Sequence, residues 1–238
     1  MSHDPEAPRG LPFLPPVDPT AARPGDALVT AEAFAGFLAD GDEELARWAL
    51  SRELAARPRA VVYDTFVRDA MRLVGDRWVS GRWTISEEHL ASRTLGRVLT
   101  SLAPPPHPLD RVSPVAVLAG VAGEQHSIGL MTLAHVLAEA GFAVSDLGPD
   151  VPADDLVRFV ARSDARLVAL TASSASREEN LRDTAAAIRA LPRPPALIVG
   201  GRIAELVAVG DLGADWSGSS LVDCARFARQ LIAAAGDA

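Results

Sequence analysis

Residues 112–130 read VSPVAVLAGVAGEQHSIGL. An apolar run from Val115 to Ala119 meets Gly120 and Gly123. Glu124 and His126 follow, and Gly129 opens a helical pattern that continues through Leu137. This is strand, loop, helix. Loops at the carboxyl ends of strands in an open α/β sheet are where ligands bind. A glycine-rich turn with an exposed imidazole cradles phosphate poorly but can offer a nitrogen to a metal. A histidine that caps the helix or lies solvated on the loop fits the same pattern.

The alternation continues downstream. Besides 114–119, strands are expected at about 142–147, 166–171 and 195–199, with helices at about 127–140, 152–162, 176–191 and 202–209. A short strand near Asp215 and a last helix from about Ser220 complete the set. Strands alternating with helices in this way predict a parallel, doubly wound sheet of the flavodoxin or Rossmann-like kind.

Residues 26–102 read as all-helical. Leu28, Phe34, Phe37 and Leu38 mark a helix from Asp26 to Ala39, stopped by Gly41. Asp42 caps a second, to about Arg57, with Leu45, Trp48, Ala49 and Leu54 on one side. Pro58 breaks the chain. A third helix spans about Arg59 to Ser80, with Val62, Phe66, Ala70, Leu73 and Val74 at helical spacing, and Gly81 ends it. Thr84 and Glu87 form a capping box for a fourth, through Ser101. Four helices with short connections predict an antiparallel bundle, so the chain reads as all-α followed by α/β. APPPHP at 103–108 is a stiff linker, which puts the boundary at 103–111 and the second domain at 112–238. Residues 1–25 hold seven prolines without a period and read as a flexible arm.

Composition narrows the class. The chain has 238 residues, 48% hydrophobic and 23% charged, as an ordinary globular protein does. A net charge of -8 argues against direct nucleic-acid or anionic-membrane contact. Cys224 is the only cysteine, which excludes an internal disulfide framework and any CxxC metal site, and fits a cytoplasmic setting. The opening residues lack the pattern of a signal peptide. No apolar run nears the ~20 residues that span a bilayer.

Glu124-Gln125-His126-Ser127-Ile128-Gly129 resembles the DxHxxG signature of cobalamin-binding domains, with Glu where that family has Asp. Thr171-Ala172-Ser173 ends the third strand, where the family has its SxL element. Gly200-Gly201 stands for its GG, and Gly213-Ala214-Asp215 for its GAD. The match runs in register across about 115–235, and a helical bundle in front is similar to the family's cap. This resemblance implies base-off cobalamin with His126 as the lower axial ligand of cobalt and residue 124 orienting the other ring nitrogen. Glu124 is one methylene longer than Asp, so that bond is either rearranged or lost. The cofactor-binding residues expected on these grounds are Glu124, His126, Ser127, Gly129, Thr171, Ser173, Gly200, Gly201, Asp215 and Trp216. Trp216 also reads as a plain core tryptophan, and that reading is the preferred one.

Trp78, nine residues, then Glu88-His89 is similar to the cap of CarH-type cobalamin photoreceptors. That implies Trp78, Glu88 and His89 closing over the upper face, around an adenosyl group. The bland reading is a core tryptophan beside a solvated Glu-Glu-His face. The resemblance implies a non-enzymatic light sensor using adenosylcobalamin, with an oligomeric change or a protein effector as output. Two alternatives stay open: a corrinoid methyl carrier of a methyltransferase system, and an interaction protein that keeps the fold without the cofactor. CarH-type proteins carry a DNA-binding domain in front, where this chain has the Pro-rich arm. They also have a histidine beside the tryptophan, where this chain has Arg77 and Val79. Those departures make the chain similar to the photocobilins, which add a bilin. A biliverdin here would be non-covalent, since Cys224 is expected on the last helix, away from the cap. Arg72, Arg77, Arg82 or Arg93 would pair with its propionates.

Overall fold

The computed structural model describes residues 29–105, 113–206 and 212–236. The Pro-rich arm at 1–25 and most of the 103–111 boundary lie outside the described residues.

Five strands run parallel in the order β2-β1-β3-β4-β5. They are β1 (Val115–Gly120), β2 (Ala143–Asp146), β3 (Ala165–Thr171), β4 (Ala196–Gly200) and β5 (Trp216–Gly218). This is the flavodoxin-like order expected from the alternating pattern. The central strands are near-continuous apolar runs because both sheet faces are covered. On one face lie α6 (Ile128–Ala140) and α10 (Leu221–Gly236), closing over Leu118, Leu167 and Ile198. On the other lie α7 (Ala153–Ser163) and α8 (Glu178–Arg189), closing over Val117, Val168 and Val199. A short α9 (Ile203–Leu206) follows β4. The order reverses between β1 and β3, so the carboxyl-edge crevice opens beside the 121–127 loop.

The helical region comprises α1 (Ala31–Ala39), α2 (Glu43–Ala56), α3 (Arg59–Val62), a π-turn at Tyr63–Val67, α4 (Arg68–Val79) and α5 (Ile85–Ser101). The first helix starts later than expected, at Ala31. Thr30 is extended there and its hydroxyl accepts the Ala33 N–H at 3.1 Å, which sets the boundary. Asp42 caps α2 through the Leu45 N–H at 2.9 Å. The capping box on α5 forms: Thr84 Oγ1 accepts from Glu87 N–H at 3.3 Å, and Glu87 Oε2 accepts from Thr84 N–H at 2.6 Å. The third expected helix is present but widens at Tyr63–Val67, a local change that apolar spacing does not report.

Phe34 and Phe66 stack at 4.7 Å in the bundle core, with Leu38, Leu50, Leu95 and Leu99 fully buried around them. Each such side chain contributes about 1.5–3 kcal/mol. The same cluster takes in Val136 of α6 and Ala225 of α10. The helical region thus packs on the α6/α10 side of the sheet, above the crevice.

Candidate cobalamin site

The 121–127 loop is held from three sides. Asp150, in the left-handed conformation after β2, accepts the Gly123 N–H at 2.6 Å and the Gln125 amide at 3.1 Å. Those two bonds, with Arg177 nearby, hold the Asp150 carboxyl below its usual range. Asn180 of α8 donates to the Ala122 carbonyl at 2.7 Å. Gly123 has φ +82°, the left-handed region that favours glycine, and a Cβ there would displace the Arg177 guanidinium.

Glu124 is the buried centre of the loop, 2% exposed. Oε1 accepts the His126 N–H at 2.8 Å and lies 2.6 Å from His126 Nδ1. Oε2 accepts the Ser173 N–H. Burial works to raise the Glu124 pKa, but the bonds from His126 and Ser173 together outweigh it and hold the carboxyl below its usual value. A carboxylate only accepts, so Nδ1 carries the ring proton. That leaves the lone pair on Nε2, which has no hydrogen-bond partner among the described residues. The His126 side chain is 78% exposed. The longer Glu therefore keeps the orienting bond, bracing the ring also from Ser173, whose Oγ is 3.0 Å from Nδ1. Among the described residues no cluster of three or more His, Cys, Asp or Glu could hold a metal.

Below the helical region lies a cavity of about 760 Å³. Tyr63, Val67, Met71 and Trp78 line it from above, and Gly129, Thr171, Gly200, Gly201, Trp216 and Cys224 from the sheet side. Gly201 is at φ +86°, and a Cβ would sit 2.6 Å from both Thr171 Oγ1 and the Ala172 carbonyl oxygen. Gly129 opens on free space, with nothing within 4 Å of a Cβ. A glycine-edged cavity beside an oriented imidazole suits a bulky planar cofactor with an extended tail.

Six of the expected residues thus share one cavity: Trp78, Gly129, Thr171, Gly200, Gly201 and Trp216. Trp216 also packs against the core on the α6/α10 face, as the core reading of it expects. Glu124, His126 and Ser173 do not line it but form a second group, two residues along the chain from the lining Ile128 and Thr171, and Ser127 is the N-cap position of α6 without a side-chain bond. Other expectations are corrected. Asp215 sits at the amino end of the sheet, accepting from Leu197 N–H at 2.7 Å and Arg189 at 2.8 Å, where it ties β4 and α8 to the chain ahead of β5. Glu88 and His89 do not line the cavity with Trp78. His89 is 67% exposed, 3.7 Å from Glu88. Helix periodicity puts it about 160° around from the buried Ala91. Cys224 is not away from the helical region but lines the shared cavity, where burial, then Asp64, push its thiol up to about 12. The four arginines do not converge: Arg77 pairs with Glu32 and covers Trp83, Arg82 donates to Ser80, Arg93 is exposed, and only Arg72 lines the cavity.

A B12 binding domain family matches residues 114–219, and a second B12 binding domain family matches residues 30–103. The chain belongs to the B12-binding family. It is 36% identical over 157 residues to the HTH-type transcriptional repressor CarH of Myxococcus xanthus, covering 66% of this chain and 52% of that protein. It is 28% identical over 120 residues to dimethylamine corrinoid protein 3 of Methanosarcina acetivorans, covering 50% of this chain and 56% of that one. The chain spans about half the length of these curated relatives. The monomethylamine corrinoid protein of Methanosarcina barkeri shares the fold, with a TM-score of 0.68 at 18% identity over 84% of this chain and 97% of that one. A relative that is a transcriptional repressor runs against the expectation of no nucleic-acid partner, since the net charge of -8 describes this chain only. A bilin finds no support among these relatives. No helix among the described residues is long and apolar enough to cross a membrane.

Proposed function

We propose that this B12-binding chain is a cobalamin-dependent light sensor in which His126 Nε2 is the lower axial ligand of cobalt. The observation that carries the cobalamin part is the Glu124–His126 pair, which leaves the lone pair on the exposed ring nitrogen. Adenosylcobalamin, the form we infer, supplies a cobalt–carbon bond that light cleaves. Gly129, Thr171 and the Gly200-Gly201 turn would admit the nucleotide tail. Trp78 would close the upper side, at the end of α4 and half-exposed now. Trp78, Val67 and Met71 would lose contacts with an upper ligand once it departs. Only such differential contacts shift the docking of the helical region, and with it an interface to a second copy or an effector. No turnover of a substrate is required. The 36% identity to CarH supports the sensor.

A methyl carrier is the second reading, favoured by the 28% identity to a dimethylamine corrinoid protein. One experiment separates the two. The chain is loaded with adenosylcobalamin in darkness, then illuminated. A spectral change accompanied by a changed hydrodynamic size supports the sensor. A light-indifferent size, with methyl exchange to a methyltransferase, supports the carrier and overturns the sensor.

A further inference from the structure

At the π-turn Tyr63–Val67, Asp64 leaves the helical region and reaches α10. Its Oδ1 accepts the Leu221 N–H at 2.9 Å, and its Oδ2 accepts the Val222 N–H at 3.0 Å and the Ser220 hydroxyl at 3.1 Å. Ser220 Oγ in turn accepts the Asp223 N–H at 3.2 Å. The first three amides of α10 are therefore all taken, two of them by a side chain more than 150 residues earlier in the chain. Helix first-turn donors are ordinarily capped by the residue just ahead, and an anion there also opposes the helix dipole. Arg68 completes the joint, pairing with Asp64 and donating to the Ser219 carbonyl. The turn gripped in this way is part of the cavity: Trp216, Gly218, Ser219, Ser220 and Leu221 line it.

We infer that Asp64 is a positioning residue for the cofactor: by capping α10 from the helical region, it shapes the 216–221 wall of the cavity only while that region is docked. Undocking strips two amides of their acceptor and frees the turn, so docking and cavity shape form one equilibrium. This rests on the cobalamin reading above, with the tail on the sheet side.

The test compares wild type, Asp64→Ala and the near-isosteric Asp64→Asn as full chains. Amide exchange is measured without cofactor, and affinity is measured for hydroxocobalamin and for cobinamide, which lacks the nucleotide tail. The expected result is faster exchange at Leu221 and Val222 by about tenfold, as for a lost cap of ordinary strength. Hydroxocobalamin affinity should fall by a similar factor, and cobinamide affinity by less. Unchanged exchange at Leu221 and Val222 in both variants overturns the docking role. Faster exchange with unchanged hydroxocobalamin affinity overturns the positioning role. If Asp64→Ala does not fold, Asp64→Asn decides. If the wild type binds no corrinoid, the cobalamin reading fails, and the exchange data still decide whether Asp64 caps α10.

Discussion

Glu124 grips His126 twice with one oxygen, at the backbone N–H and at ring Nδ1, 2.8 and 2.6 Å away. Its other oxygen takes the Ser173 N–H across from β3. Loop position, ring tautomer and the neighbouring strand end therefore depend on one buried carboxylate. Glu124→Ala should destabilise the chain by about 2–3 kcal/mol, since it leaves buried donors unmatched. Denaturant unfolding measures this, and a loss under half a kilocalorie would refute it.

The same carboxylate has a pH signature. Its folded pKa lies below the ordinary 4.5. Its contribution to stability is therefore full above that value and is lost as pH falls below it, toward the folded pKa. Melting curves of wild type and Glu124→Gln should converge as pH drops from about 5 toward 3. Curves that stay parallel throughout would rule the linkage out.

Replacing the imidazole tests the ligand directly. His126→Ala should fold normally, because its ring is mostly exposed. Its bound cobalamin should show an altered visible spectrum. An unchanged spectrum removes His126 from the cobalt.

A second histidine behaves in the opposite way. Tyr63 Oη is 2.8 Å from His135 Nδ1 and accepts from Arg59 at 2.8 Å, so the tyrosine proton points at His135. Burial, then Arg59, lowers the His135 pKa from 6.5 to about 4. The unfolded chain binds that proton more readily, so stability is full above 6.5 and declines as pH falls toward 4. His135→Gln should flatten this decline in a pH series of thermal melts. Tyr63→Phe should cost about 1–3 kcal/mol at neutral pH by orphaning Nδ1.

Two glycines at the cavity should respond differently to a side chain. Gly201→Ala meets backbone and hydroxyl oxygen at 2.6 Å with φ +86°, so it should cost about 1–3 kcal/mol. At Gly129 a Cβ meets nothing within 4 Å, so Gly129→Ala should preserve the melting temperature while weakening cobalamin uptake. Equal melting temperatures for the two variants would contradict this.

At the upper side, Trp78→Ala should weaken adenosylcobalamin far more than hydroxocobalamin. His89→Ala should weaken neither, because that ring stands away from the cavity. Equilibrium titrations of both ligands decide it, and a His89 effect equal to that of Trp78 would restore the pair to a shared lid.

Much of this molecule is written in local pattern. The change from a 3.6-residue to a two-element alternation at residue 103, the Thr84–Glu87 box, and the strand-loop-helix around His126 are each settled by residues a few positions apart, so they read directly. What only tertiary structure decided lies between distant residues. Glu124 meets Ser173 across 49 positions, and Asp64 meets Leu221 across 157. No local pattern says that Asp150 holds the Gly123 N–H from 27 positions away. Asp215 looked like part of a cofactor motif, yet the sheet turns it to the opposite end, against Arg189. Spacing says which face of an element a side chain takes. Which partner waits there depends on how helices and sheet pack, a relation carried by the whole buried core and by no short stretch of chain.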